Sequence, residues 1–208
     1  MQHLIHRARH PFATLLGALC AVVLTVSIAG CGKRPETWML DNVEGHLPDL
    51  SFSLTSDAGK PLSNTDLKGK VAVVYFGYTH CPDICPQTMA TLTQALAKLG
   101  ADANDVRIVF ISVDPSRDTP EAMHAYVDAF DATHIIGLTG STDAIESIAK
   151  RYRVAYQADA PESGGGYEVA HSSGIYIFDR DGKARLLANG TDSVDALTHD
   201  LRQLAQPS

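Results

Sequence analysis

The stretch KVAVVYFGYTHCPDICPQTM, residues 70–89, decides the fold. Its first half, Val71 to Gly77, is an unbroken apolar run rich in β-branched and aromatic residues, with no polar alternation. Such a run marks a strand buried on both faces, the kind found in a sheet covered by helices. Its second half opens a helix. Pro86 suits a first helical position, and Gly100 suits the stop after ALAKL. Met89, Leu92, Leu96 and Leu99 recur at helical spacing and are expected in the core rather than as sulfur ligands. Between strand and helix stands a short loop with two cysteines, Cys81 and Cys85, each followed by proline.

Outward from this unit the pattern repeats. VRIVFISVD (106–114) reads as a second buried strand. TPEAMHAYVDAF (119–130) reads as a helix capped by Thr119 with Pro120 at its first position. STDAIESIAKRY (141–152) is another, capped at Ser141 or Thr142. RVAYQ (153–157) is a short strand, and GIYIFDRDGKARLLA (174–188) is a hairpin turning at DRDG. DSVDALTHDLRQLA (192–205) closes the chain as a helix. Upstream, LSFSLTS (50–56) alternates as a strand and DAGKPLS (57–63) turns into a second short one. Strands alternating with helices predict a three-layer α/β sandwich to which the terminal hairpin adds antiparallel strands, one domain over residues 48–206.

The bulk numbers agree. The chain has 208 residues, 45% hydrophobic and 20% charged, enough for one filled core. A net charge of −7 with no basic face argues against nucleic acid as a partner. At the N-terminus, Arg7 and Arg9 precede the apolar run PFATLLGALCAVVLTVSIAG, residues 11–30. A basic start, an apolar middle and small residues at the end read as a secretory signal. Its close, IAGC (28–31), resembles a bacterial lipobox, which would make residues 1–30 a lipoprotein signal peptide and Cys31 the lipidated N-terminus. An uncleaved membrane anchor is the alternative, since the run is about long enough to span. Both readings hold the domain at a membrane surface outside the cytoplasm. The lipobox reading is preferred because it explains the place of Cys31, and it makes residues 31–47 a lipid-anchored tether at the periplasmic face of a bacterial membrane.

On that reading Cys20 leaves with the signal and Cys31 is modified, so Cys81 and Cys85 remain as thiols. Closing a loop of three intervening residues gains little chain entropy, so the pair makes a poor staple. Redox or metal chemistry remains. The helix N-terminus beside them offers free N–H groups and a partial positive charge, which would depress a thiol pKa. A C-x-x-C loop here would be the thioredoxin-like redox signature, and this loop is one residue longer. Two thiolates are soft donors suited to Cu(I), but too few for zinc, which wants four ligands. A third donor is therefore sought among His46, His80, His124, His134, His171 and His199. His124 and His199 fall on helices and His46 in the tether. His171, in YEVAHSSGIYIF, just precedes a central strand, where a thioredoxin-like fold brings the chain back to the cysteine loop.

FGYTHCPDICPQTM, SVDPSRDTPE and VAHSSGIYIFDRDG together resemble the Sco/SenC family, proteins implicated in building the copper centre of cytochrome c oxidase. PDLSFSL and GLTGSTDAIESIAKRYRVAY extend the similarity over roughly residues 38–205. The resemblance implies that Cys81, Cys85 and His171 are copper ligands and that the fold is an α/β, thioredoxin-like three-layer sandwich with an added β-hairpin. Two thiolates and one imidazole suit three-coordinate Cu(I), and with an extra oxygen ligand they can also hold Cu(II). It implies that Asp114 supports the copper-binding loop. The protein would be a metallochaperone for the binuclear copper site of cytochrome c oxidase, with the copper-bearing subunit and a thioredoxin-like reductase as partners. No catalytic residue is then required. The enzyme alternative is a thiol–disulfide reductase using Cys81 and Cys85 as its redox pair, with no necessary role for His171. A thiol peroxidase is disfavoured, because its motif needs threonine and proline where the chain has Tyr78 and Val74. A copper-responsive sensor shares the same site. Asp114 also admits a local reading, as a turn cap paired with Arg117, and Asp118, which precedes the Thr119 cap, admits a local reading at least as readily as a functional one.

Overall fold

The computed structural model describes residues 37–160 and 166–206. The folded unit begins at Trp38. Its main sheet takes strands β1 (Asp41–Asn42), β2 (Ser53–Ser56), β3 (Pro61–Ser63), β4 (Val71–Gly77), β5 (Val106–Ser112), β6 (Ile135–Thr139), β9 (Ile175–Phe178) and β10 (Ala184–Ala188). Their order across the sheet is β1-β10-β9-β4-β5-β6-β2-β3. A separate ribbon pairs β7 (Tyr156–Ala158) with β8 (Val169–His171). The helices are α1 (Ile84–Leu99), α2 (Pro120–Asp131), α3 (Thr142–Arg151) and α4 (Val194–Ala205).

The apolar run at 71–77 is β4, and all seven of its residues are buried. It lies mid-sheet, parallel to β5 and antiparallel to β9. On one face Tyr75 neighbours Phe110, on which Tyr126 of α2 stacks. On the other, Phe76 and Tyr176 meet Tyr152 at the end of α3. Helices therefore cover both faces, which is why β4 needs no polar side. Burial of each such large side chain is worth about 1.5–3 kcal/mol. The expected three-layer, thioredoxin-like fold is present, and the β9–β10 hairpin adds its antiparallel strands.

Two boundaries differ from the sequence reading. Helix α1 starts at Ile84, so Pro86 occupies its third position and Cys85 lies within its first turn. The packed chain also reaches upstream of residue 48. β1 pairs with β10, Leu40 is buried, and the fully buried Asp200 of α4 accepts hydrogen bonds from the Met39 amide (3.0 Å) and the Leu40 amide (2.9 Å). An acid on a helix gave no sequence sign of this clasp. Replacing Asp200 with alanine orphans both amides and is expected to cost about 2–4 kcal/mol, read as a lower urea midpoint at unchanged slope. A midpoint equal to the parent's contradicts it.

Candidate metal centre

Strand pairing sets up the site. β4 and β9 run antiparallel with Tyr75 opposite Ile175, so the chain leaves β4 at the sheet edge where it enters β9. The cysteine loop follows β4 and His171 precedes β9, which brings residues far apart in sequence to one edge. β5 is parallel to β4, so SVDPSRDT opens on that edge too.

The loop itself is short and tied. The Cys81 amide donates to the Tyr78 carbonyl at 3.3 Å, and the Cys85 amide donates to Cys81 Sγ at 3.4 Å. Cys81 is 8% exposed and Cys85 wholly buried, both as free thiols. Gly77 makes room for the inner sulfur. A Cβ at this position would lie 2.8 Å from Cys85 Sγ and 2.7 Å from Phe110 Cε2, closer than carbon atoms approach. The Tyr75 hydroxyl donates to Cys85 Sγ at 3.7 Å.

His171 completes the group. Its Nδ1 donates to the Ser172 carbonyl at 3.0 Å, which leaves the Nε2 lone pair facing Cys85 Sγ at 3.3 Å. The ring stands edge-on to Tyr75 and Tyr78, with centroids 6.1 and 5.9 Å away. The ligand atoms of Cys81, Cys85 and His171 all lie within 4.8 Å of one another, the sole such cluster among the described residues. That spread is close to the shell of a single ion, where metal–sulfur bonds run about 2.3 Å. Two soft sulfurs and one imidazole fit a monovalent copper ion. An open cleft lined by Tyr78, Cys81, Pro82, Ile84 and His171 reaches the group from solvent.

The expected depression of a cysteine pKa is corrected at Cys85. Burial pushes its thiol up to about 12, outweighing the hydrogen bonds from the Tyr78 backbone and the Tyr75 hydroxyl. With the sulfur wholly out of water, the charged form loses more than the helix terminus returns.

Asp114 is buried at this edge. Its side chain accepts from Arg117 Nε and from the Tyr167 hydroxyl at 2.8 Å, and does not bond a cysteine or His171. Asp118 was read as ordinary and is not. Fully buried, it accepts from the Thr79 amide (3.1 Å), the Thr79 hydroxyl (2.6 Å) and the Ser112 hydroxyl (2.6 Å). It thus pins the residue two before Cys81 to the end of β5. The signal available was its loop's position at the shared edge. His46, His124, His134 and His199 lie outside the cluster, and His80 bonds Thr79. Cys31, the signal segment and residues 161–165 fall outside the described residues.

A SCO1/SenC family model matches residues 44–206. The chain belongs to this family. It is 42% identical over 148 residues to the mitochondrial SCO1 homolog 1 of Arabidopsis thaliana, covering 71% of this chain and 44% of that protein. The chain thus spans about half the length of the curated relatives it matches. The structure of Bradyrhizobium japonicum ScoI with copper bound superposes with a TM-score of 0.69 at 38% identity, covering 75% of this chain and 98% of that one. BsSco, described as a member of the Sco family of cytochrome c oxidase assembly proteins and studied for a disulfide switch, gives 0.61 at 29% identity, covering 80% and 97%. The family corrects one expectation. The curated relatives from Arabidopsis, mouse, yeast and human are mitochondrial proteins, which overturns the placement at a bacterial periplasmic face drawn from the N-terminal segment. Among the described residues no helix is long and apolar enough to cross a membrane.

Two outcomes test the site's construction. Gly77→Ala is expected to lower stability by about 1–3 kcal/mol, read by thermal or urea denaturation, because both neighbours of the new carbon are packed. In the reduced, metal-free protein, Cys85 is expected to react with iodoacetamide at pH 8 at least about a hundredfold more slowly than free cysteine, the rate climbing toward pH 11 as the thiol ionises. Mass-spectrometric labelling of Cys85 at the free-thiol rate contradicts the burial argument.

Proposed function

We propose that the protein is a copper carrier that delivers copper to the binuclear site of cytochrome c oxidase. Cys81, Cys85 and His171 hold the ion. The observation that carries this reading is the convergence of two thiols and an imidazole whose Nε2 lone pair points at the sulfurs. The copper-bound ScoI neighbour and the oxidase-assembly role of BsSco support it.

The site suits a carrier rather than a store. Three donors leave Cu(I) open to a further ligand, and the cleft gives an acceptor's cysteine or histidine a path to it. The acceptor, the copper-bearing oxidase subunit, then takes the ion by ligand exchange, without a free ion crossing water. His171, at 171 on a short ribbon, is the donor best placed to release first. Loading needs both sulfurs reduced, so oxidation of Cys81 and Cys85 to a disulfide gates it, and a thioredoxin-like reductase is the implied partner. Asp114 supports the loop through Arg117 and Tyr167. Attachment to a membrane through the N-terminal segment, upstream of the packed chain that begins at Trp38, belongs to the same proposal.

The reductase reading is less well supported. It gives His171 no task, and a Cys85 thiol pushed up to about 12 is a poor attacking thiolate near neutral pH. Anaerobic titration of the reduced protein with Cu(I) against a competing chelator is expected to show one tight site. His171→Ala is expected to weaken it about a hundredfold or more. If His171→Ala binds like the parent while insulin reduction requires both cysteines, the carrier reading fails.

A further inference from the structure

His171 is held from both sides of its own chain segment. On its C-terminal side, the Ser172 amide donates to the Ala155 carbonyl at 2.9 Å, and the Ala155 amide donates back to Ser172 Oγ at 3.1 Å. On its N-terminal side the contacts run through one cation. Arg117 Cζ lies 3.6 Å from the centroid of the Tyr167 ring and 5.6 Å from that of Tyr78. Its Nη1 donates to the Tyr167 carbonyl at 2.9 Å, and its Nε donates to Asp114. Asp114 also accepts from the Tyr167 hydroxyl, so carboxylate and guanidinium grip the same tyrosine by both its ends. Two residues on, the Val169 amide donates to the Tyr78 hydroxyl at 3.2 Å, and the Tyr78 ring stands at 89° to the His171 imidazole.

We propose that Arg117 is the positioning residue of His171. Set against both tyrosine rings, it locks the Tyr167–His171 segment to the loop after β5 and holds Tyr78 edge-on against the imidazole. Arg117 touches none of the three donor atoms. It acts through Tyr78 and Tyr167, and only guanidinium chemistry serves: a flat cation stacks on a ring while its fork reaches a carboxylate and a carbonyl at once. The same arrangement gives Asp114 its task, as the anchor of the cation rather than a partner of a ligand.

The consequence for copper rests on the proposed function, but the clasp itself does not, and the test separates them. In the reduced, metal-free protein, hydrogen exchange at the Val169 amide is expected to speed up about tenfold or more in Arg117→Ala, although Arg117 does not touch that amide. Cu(I) affinity is expected to fall about 10- to 100-fold in Arg117→Ala, yet by less than about twofold when the change is made on a His171→Ala background. Equal losses on both backgrounds mean general loosening and overturn the proposal. Unchanged Val169 exchange in folded Arg117→Ala overturns it as well. Should Arg117→Ala fail to fold, Arg117→Lys, which keeps the charge and loses the fork, is read by the same measurements, and an unmoved Val169 amide is again fatal. If His171→Ala alone leaves Cu(I) binding intact, the copper reading falls, while the exchange result still decides the clasp.

Discussion

The antiparallel pairing of β4 with β9 is the constraint on which the site depends. Tyr75 opposite Ile175 means that one strand ends where the other begins. Whatever follows β4 and whatever precedes β9 must share that edge. Two cysteines follow, and a histidine precedes. Parallel β5 delivers a third loop to the same place, carrying Asp114, Arg117 and Asp118. Three separate segments meet because backbone hydrogen bonds fix their register, and side-chain chemistry then refines the meeting.

Burial governs the chemistry that results. Cys85 sits beneath Tyr75 and against Gly77, with no water at its sulfur. A helix N-terminus alone would favour thiolate, but desolvation wins and the thiol holds its proton in the metal-free protein. An ion able to replace that proton restores the lost compensation at once. The same burial that blunts Cys85 as a nucleophile suits its proposed role as a ligand. Asp118 meets burial differently, with three donors converging on its carboxylate.

Much of this was legible in the chain. The apolar run at 71–77 announced a strand covered on both faces, and the caps at Thr119 and Ser141 stand where the sequence put them, accepting from Ala122 and Ala144. The cysteine pair was plain from spacing, and His171 from its place before a central strand together with the family resemblance. What stayed hidden were contacts between loops. Arg117, Tyr167 and Tyr78 lie far apart in sequence, and no periodicity links them. Asp118 drew only a local reading beside the Thr119 cap, because burial of a lone carboxylate shows only when its donors are in view. The start of α1 was misjudged for a local reason: proline is tolerated anywhere in a helix's first turn, so Pro86 marked that turn but not its first residue. Location was misjudged because a leader segment reports export and not the organelle in which relatives reside.

The central claim is that one ion sits between two sulfurs of one loop and an imidazole from another. X-ray absorption at the copper edge of the reduced, Cu(I)-loaded protein measures that directly. The account expects a three-coordinate spectrum with two sulfur scatterers and one nitrogen, the imidazole's multiple-scattering pattern disappearing in His171→Ala. A two-sulfur linear site with no nitrogen, unchanged by that substitution, would contradict it.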